Sequence, residues 1–224
     1  MIRAVIFDFD GTIADTIFAI REGVNMTMRQ YGYPEHTYDE VQSFINNGAR
    51  QLVLRAMPED LRSDEALWDR VFETYEECYG QTYMQTKEAY DGLPELIARL
   101  HEEGMKIGVL SNKEDLFVNN LTKQVLFPNT FDAVQGVVPG QPTKPHPYLS
   151  NRTAESLGVK PEECIMIGDS DVDIATAYNA GMIHVGVSWG YRSEEILREK
   201  GAKYVAHTPD ELYNIIKNIQ ESQP

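Results

Sequence analysis

The chain has 224 residues, 42% hydrophobic and 25% charged, and its 20 Lys plus Arg against 35 Asp plus Glu leave a formal net charge of −15. That length admits one large domain or a core with a small accessory domain, and the acidic balance opposes nucleic acid and anionic membrane surfaces. No apolar run approaches the roughly 20 residues of a membrane span, no leader is expected ahead of Asp8, and Cys78 and Cys164 stand far apart outside any C-x-x-C pair, so a reduced, cytoplasmic setting is expected; a monomer or homodimer is expected without a signal that chooses between them.

Val5-Ile6-Phe7 reads as a short buried strand running into Asp8-Phe9-Asp10-Gly11-Thr12. Two carboxylates at the edge of a core are costly unless paired or bound to a cation, although an acidic turn capping the next helix reads equally well from the stretch alone. Residues 15–86 carry helical patterns and no convincing strand. Asp15-Thr16 would cap a helix reaching Met28-Tyr31, and Ser63 would cap a long helix whose Trp68, Val71, Phe72, Tyr75, Tyr79 and Tyr83 recur every three or four residues. Such a stripe reads as a packing face, with substrate contact as the minor alternative.

From residue 87 the pattern alternates. Pro94 opens a helix stopped by Gly104, and the strand Ile107-Gly108-Val109-Leu110 ends at Ser111-Asn112-Lys113. A helix follows to about Leu126, then a weaker strand, Phe131-Asp132-Ala133-Val134, and a proline-rich loop that holds Lys144-Pro145-His146-Pro147. After a helix to Leu157, the strand Cys164-Ile165-Met166-Ile167 ends at Gly168-Asp169-Ser170-Asp171-Val172-Asp173. Ile183–Val187 and Tyr204–Ala206 are the last strands; Ser193 caps one following helix, and Thr208 with Glu211 forms a capping box for the other. Short apolar strands alternating with helices predict an α/β fold, a doubly wound parallel sheet covered on both faces. Its core is residues 1–14 plus 87–224, interrupted by a helical insert over 15–86.

Ligands of such a sheet bind past the carboxyl ends of its strands. Four strand exits supply Asp8 and Asp10, Ser111 and Asn112, Lys144, and Asp169 and Asp173. Each has a plain alternative: an N-cap for Ser111, a solvated lysine for Lys144, a dipole-favoured helix start for the later acids. Asp169-x-Asp171-x-Asp173 is not a calcium loop, because Ile174 and Ala180 stand where Gly and Glu are needed, and neither phosphate-cradling glycine motif occurs. Carboxylate oxygens suit a hard cation such as Mg²⁺, and a lysine opposite them suits phosphoryl transfer, with one carboxylate as nucleophile and another as proton donor. His146, in a loop or cap, and His184, in a strand, are not needed by that chemistry.

Asp8-Phe9-Asp10-Gly11-Thr12, Ser111-Asn112, Lys144-Pro145 and Gly168–Asp173 resemble, in order, the four motifs of the haloacid dehalogenase superfamily. The second acid, Asp10, resembles its phosphatase and phosphomutase branches, and Thr12–Thr16, Asn47-Gly48-Ala49 and Lys144–Pro147 look most like phosphoglycolate phosphatases. The resemblance implies Asp8 as nucleophile and Asp10 as general acid/base. Ser111 would bond the phosphoryl group and Lys144 would hold its charge. Backbone N–H groups around Phe9, Asp10 and Asn112 would complete the anion site. Asp8, the Asp10 carbonyl and Asp169 would bind Mg²⁺, and Asp173 would orient Lys144 or a water on the metal. Arg50 reads either as a reader of a substrate carboxylate or as a surface residue. The expected function is a Mg²⁺-dependent phosphatase of a small phosphorylated metabolite, phosphoglycolate-like or a sugar phosphate, acting through an aspartyl-phosphate under a closing cap. The alternatives are a phosphomutase of the β-phosphoglucomutase type and, remotely, a phospho-receiver signalling module.

Overall fold

The computed structural model describes residues 1–45, 47–126 and 130–222. The chain enters through β1 (Ala4–Phe7) and continues into α1 (Ile17–Gln30), α2 (Tyr38–Phe44), α3 (Ala49–Ala56) and α4 (Glu65–Thr82). It then alternates: α5 (Leu93–Glu102), β2 (Lys106–Glu114), α6 (Asp115–Asn120), β3 (Ala133–Val137), α7 (Pro147–Ser156), β4 (Cys164–Gly168) and α8 (Asp171–Ala180). It ends with β5 (Ile183–Val187), α9 (Glu194–Glu199), β6 (Tyr204–Ala206) and α10 (Pro209–Ser222). Two compact units result, Met1–Asp15 with Glu88–Pro224, and Thr16–Lys87.

In the larger unit six strands form one parallel sheet in the order β3-β2-β1-β4-β5-β6. Every residue of β1 and β4 is buried, as strands covered on both faces require. Phe7 is level with Val109 of β2 and with Ile167 of β4. Asp8, Leu110 and Gly168, which follow these three level residues, therefore stand at one edge of the sheet. Strand order reverses direction between β1 and β4, which opens the crevice where such sheets take ligands.

The helical unit is built on the α1–α4 pair. On α4, Val71, Tyr75, Cys78, Tyr79 and Thr82 are buried. The Tyr75 and Tyr79 rings stack at 5.6 Å, and the Thr82 hydroxyl donates to the Ala19 carbonyl on α1. The aromatic stripe is thus a packing face at its centre.

Local features depart from the sequence expectations in four places. The cap of α4 is Asp64, whose carboxylate accepts from Leu67 N–H, rather than Ser63, which lies one residue further out. Thr16 occupies the N-cap of α1 without a side-chain cap bond. β3 begins at Ala133, two residues later than its apolar run suggests, because the Asp132 carboxylate is spent on Ile107 N–H and the Lys106 ammonium. The largest departure is β2, which does not stop at Leu110 but continues through the polar run to Glu114, with an irregular register against β3.

His184 lies in β5, as its strand pattern indicates, and both of its ring nitrogens are buried without a hydrogen-bond partner among the described residues. Burial pushes its pKa down to about 4, with Asp173 acting in the opposite direction. The unfolded chain therefore binds this proton more readily than the folded chain between about pH 6.5 and 4. Stability is full above that window and falls as pH drops through it, by up to about 3 kcal/mol. Denaturant unfolding of His184→Leu from pH 7 to pH 4 should show a shallower loss than the parent; parallel curves would contradict the assignment.

Candidate active site

The loop after β1 is wound tightly. The N–H groups of Thr12, Ile13 and Ala14 all point to the Phe9 carbonyl, and Gly11 N–H donates to Ala14. Gly11 takes φ +79°, a conformation that strains any residue with a Cβ. Asp8 itself is anchored by its N–H to the Ile167 carbonyl of β4.

Lys144 is the hub. Its ammonium lies 2.8 Å from Asp8 Oδ1 and 2.7 Å from Asp173 Oδ1, with all three residues buried. Burial alone would lower the Lys144 pKa, but Asp173 and Asp8 outweigh it and hold the ammonium above its ordinary range. The reach of Lys144 is set by Asn112. The Asn112 side chain donates to the Lys144 carbonyl at 3.0 Å and accepts from the Lys144 N–H at 2.8 Å. A lysine in a proline-rich loop is thereby fastened to the end of β2.

Asp173 is fully committed. Its second oxygen accepts from the N–H and hydroxyl of Ser170, whose own hydroxyl accepts from Asp173 N–H, so one capping box both starts α8 and aims Asp173 at Lys144. Asp169 accepts from the Thr12 hydroxyl at 3.2 Å and from Tyr191 N–H at 2.7 Å. Ser111 is buried on β2, and its hydroxyl oxygen accepts from Lys113 N–H.

The acids are short of positive charge. Burial, then Asp173, pushes Asp169 up to about 7. Burial, then Asp173, raises Asp8 well above the carboxylate range despite Lys144. Oxygens of Asp8, Asp169 and Asp173 lie within 4.8 Å of one another. Four carboxylates (Asp8, Asp10, Asp169, Asp173) face two ammoniums, those of Lys144 and Lys113, leaving a formal −2. An all-oxygen pocket with that deficit fits a hard divalent cation.

Two parts of the site escape sequence reasoning. One is Lys113, whose ammonium sits 3.0 Å from Asp10 Oδ1 with its side chain only 5% exposed. Its signal is alternation, since it stands two residues beyond Ser111 on the same face of β2. The other is the loop after β5. Trp189 Nε1 donates to the Thr12 carbonyl, Tyr191 N–H to Asp169, and the Tyr191 hydroxyl to Asp15. Between them Gly190 passes so close to the Gly11 carbonyl and the Asp169 side chain that a Cβ would overlap both. Gly190→Ala should therefore cost about 1–3 kcal/mol in denaturant unfolding and reduce activity with it; an unchanged midpoint would contradict this packing.

The remaining sequence candidates have partners of their own. Arg50 belongs to the helical unit, where its half-exposed side chain lies over the Trp68 and Phe72 rings at 4.5 and 5.0 Å and pairs with Asp69. His146 caps α7, its Nδ1 accepting from Tyr148 N–H.

Residues 5–187 match the haloacid dehalogenase-like hydrolase family. Over 219 residues the chain is 29% identical to the phosphoglycolate phosphatase of Vibrio parahaemolyticus, covering 96% of each chain. It is 28% identical over 221 residues to that of Neisseria meningitidis, covering 98% of this chain and 94% of the relative. The crystal structure of a candidate phosphoglycolate phosphatase from Lactobacillus delbrueckii superposes with a TM-score of 0.89 at 30% identity, covering 96% of this chain and 98% of the other. A β-phosphoglucomutase from Clostridium difficile shares the fold at a TM-score of 0.80 and 24% identity, covering 99% and 96%. The chain thus belongs to the haloacid dehalogenase-like hydrolases and is a phosphatase within that family.

Proposed function

We propose that this phosphatase hydrolyses a small phosphorylated metabolite, with 2-phosphoglycolate the first candidate from the names of its relatives, through an aspartyl-phosphate on Asp8 and with a divalent cation, Mg²⁺. The observation that carries this reading is the meeting of Asp8, Asp10, Lys144 and Asp169 at the crevice between β1 and β4, with Lys144 bridging Asp8 and Asp173.

An Asp8 carboxylate oxygen attacks phosphorus as the bond to the leaving oxygen breaks. Asp10 gives its carboxyl proton to the leaving alcohol. In the second half a water attacks phosphorus, its proton passes to Asp10, and the phosphorus bond to Asp8 breaks. The Ser111 hydroxyl donates to a phosphoryl oxygen. Lys144 opposes the burial that disfavours ionised Asp8 and neutralises charge on the transferring group. Thr12 and Tyr191 N–H hold the Asp169 carboxylate, and the Ser170 box holds Asp173 behind Lys144. Asp8, Asp169 and the Asp10 carbonyl would hold the cation, whose positive charge makes up the local deficit and offsets that of the phosphoryl group. Tyr90 lies among these acids, and burial followed by Asp15, Asp169 and Asp10 raises its pKa, so it stays protonated.

A cytoplasmic setting accords with two free, buried cysteines, the Cys164 thiol being pushed up to about 12 by burial and then by Glu163 and Glu162. No helix among the described residues is long and apolar enough to cross a membrane. The test is phosphate release from a panel of small phosphate esters with and without Mg²⁺. Mg²⁺-dependent release supports the reading; isomerisation of a sugar phosphate without release would favour a mutase, and activity undiminished by chelators would remove the cation from it.

A further inference from the structure

We propose that Lys113 reads an anionic group on the leaving alcohol, so that the preferred substrate is a phosphate ester whose alcohol carries a second negative charge. The inference rests on the assignment of Asp10 to the leaving oxygen.

The two buried lysines of the site hold different acids. Lys144 is on Asp8 and Asp173, at the end where phosphorus is attacked. Lys113 is on Asp10, at 3.0 Å, the end where the alcohol departs. Both are drawn inside, 4% and 8% exposed, and a lysine is seldom buried without a task for its charge. Lys144 already meets the charge of the nucleophile and of the phosphoryl group. Proton transfer by Asp10 requires no ammonium beside it. The position of Lys113 is nonetheless enforced, because β2 is drawn out past its apolar stretch to Glu114 and puts Lys113 on the same buried face as Ser111.

A leaving oxygen that shares its proton with Asp10 lies next to the group that Lys113 touches. A carboxylate on the adjoining carbon of a two-carbon alcohol is two bonds from that oxygen, within reach of the ammonium. A phosphate further along a sugar is the other source of the same charge. A compact, strongly hydrated ammonium with three donors suits either. The overall charge of −15 adds a reason, since a strongly acidic protein repels anionic substrates at long range and needs local cations to select them.

The experiment measures binding by calorimetry in the full chain carrying Asp8→Asn, so that ligand is not consumed, with Mg²⁺ present. Two pairs are compared: 2-phosphoglycolate against 2-hydroxyethyl phosphate, and glucose 1,6-bisphosphate against glucose 1-phosphate. In one pair the more anionic member should bind at least about tenfold tighter, some 1.4 kcal/mol, and Lys113→Met should bring that ratio to within about twofold. The pair that responds identifies the anion as carboxylate or phosphate. Lys113→Arg, which keeps the charge, should retain the preference and guards against a folding defect in Lys113→Met. Three results overturn the proposal: no preference in either pair, a preference that survives Lys113→Met, or equal weakening of both members, which would make Lys113 only a prop for Asp10. Failure of the phosphatase reading appears separately, as no phosphate release from any ester by the wild type, while the binding ratios still report on Lys113.

Discussion

Replacing Asp8 with asparagine is expected to lower kcat by about 10⁴-fold or more, because in the proposed reaction the change removes the nucleophile and leaves nothing of similar reactivity in its place. The fold should survive. Asparagine has nearly the same shape, and Asp8 is a buried acid that ionises reluctantly, burial raising its pKa ahead of repulsion from Asp173. Lys144 retains Asp173 as a partner at 2.7 Å. Unfolding midpoints within experimental error of the wild type, together with the loss of turnover, would place the defect in the chemistry. Turnover within about tenfold of the wild type would remove Asp8 from the role of nucleophile.

Removing the ammonium of Lys144 should have the largest effect on stability. Lys144→Met strands Asp8 and Asp173 in a buried pocket, and breaking a buried pair by deleting one partner typically costs about 3–5 kcal/mol. Activity should fall by about 10³-fold or more, since in the proposed reaction the same ammonium neutralises the phosphoryl group. A second change separates the two losses. Asp173 is fully buried and spends one oxygen on Lys144 and the other on Ser170. Lys144→Met with Asp173→Leu removes charge from both sides and should recover much of the lost stability in urea unfolding, while activity stays lost. If the double variant is no more stable than Lys144→Met, the pair is not the source of the instability. Recovered activity would show that Lys144 is dispensable for the reaction.

How much of this was legible in the sequence depends on how local the signal is. The apolar runs before Asp8, Ser111 and Asp169 mark β1, β2 and β4, and the acids after β1 and β4 gather with Lys144 in the candidate site. The acidic start of α8 has both of the meanings it carries in sequence: a helix cap through Ser170, and a charge aimed at Lys144. Lys113 was hidden because the polar run Ser111-Asn112-Lys113-Glu114 breaks the apolar pattern that signals a strand, although the backbone stays extended. Asn112 was foreseen for its backbone near a phosphate, whereas its side chain is the tie that fastens Lys144. The clamp formed by Trp189, Gly190 and Tyr191 has no local signature at all. Its bonds to Thr12, Asp169 and Asp15 join residues up to 177 positions apart, and only the pairing of β1, β4 and β5 in one sheet makes them neighbours.

Covalent phosphorylation of Asp8 is decided by the stereochemical course at phosphorus. A phosphate ester made chiral with oxygen isotopes is turned over by the wild-type chain with Mg²⁺, and the phosphoryl group is captured by an acceptor alcohol. Transfer through Asp8 is two in-line displacements, each inverting phosphorus, so the product should show net retention. Net inversion would mean a single direct displacement by the acceptor, and Asp8 would then be a base or a cation ligand rather than the nucleophile.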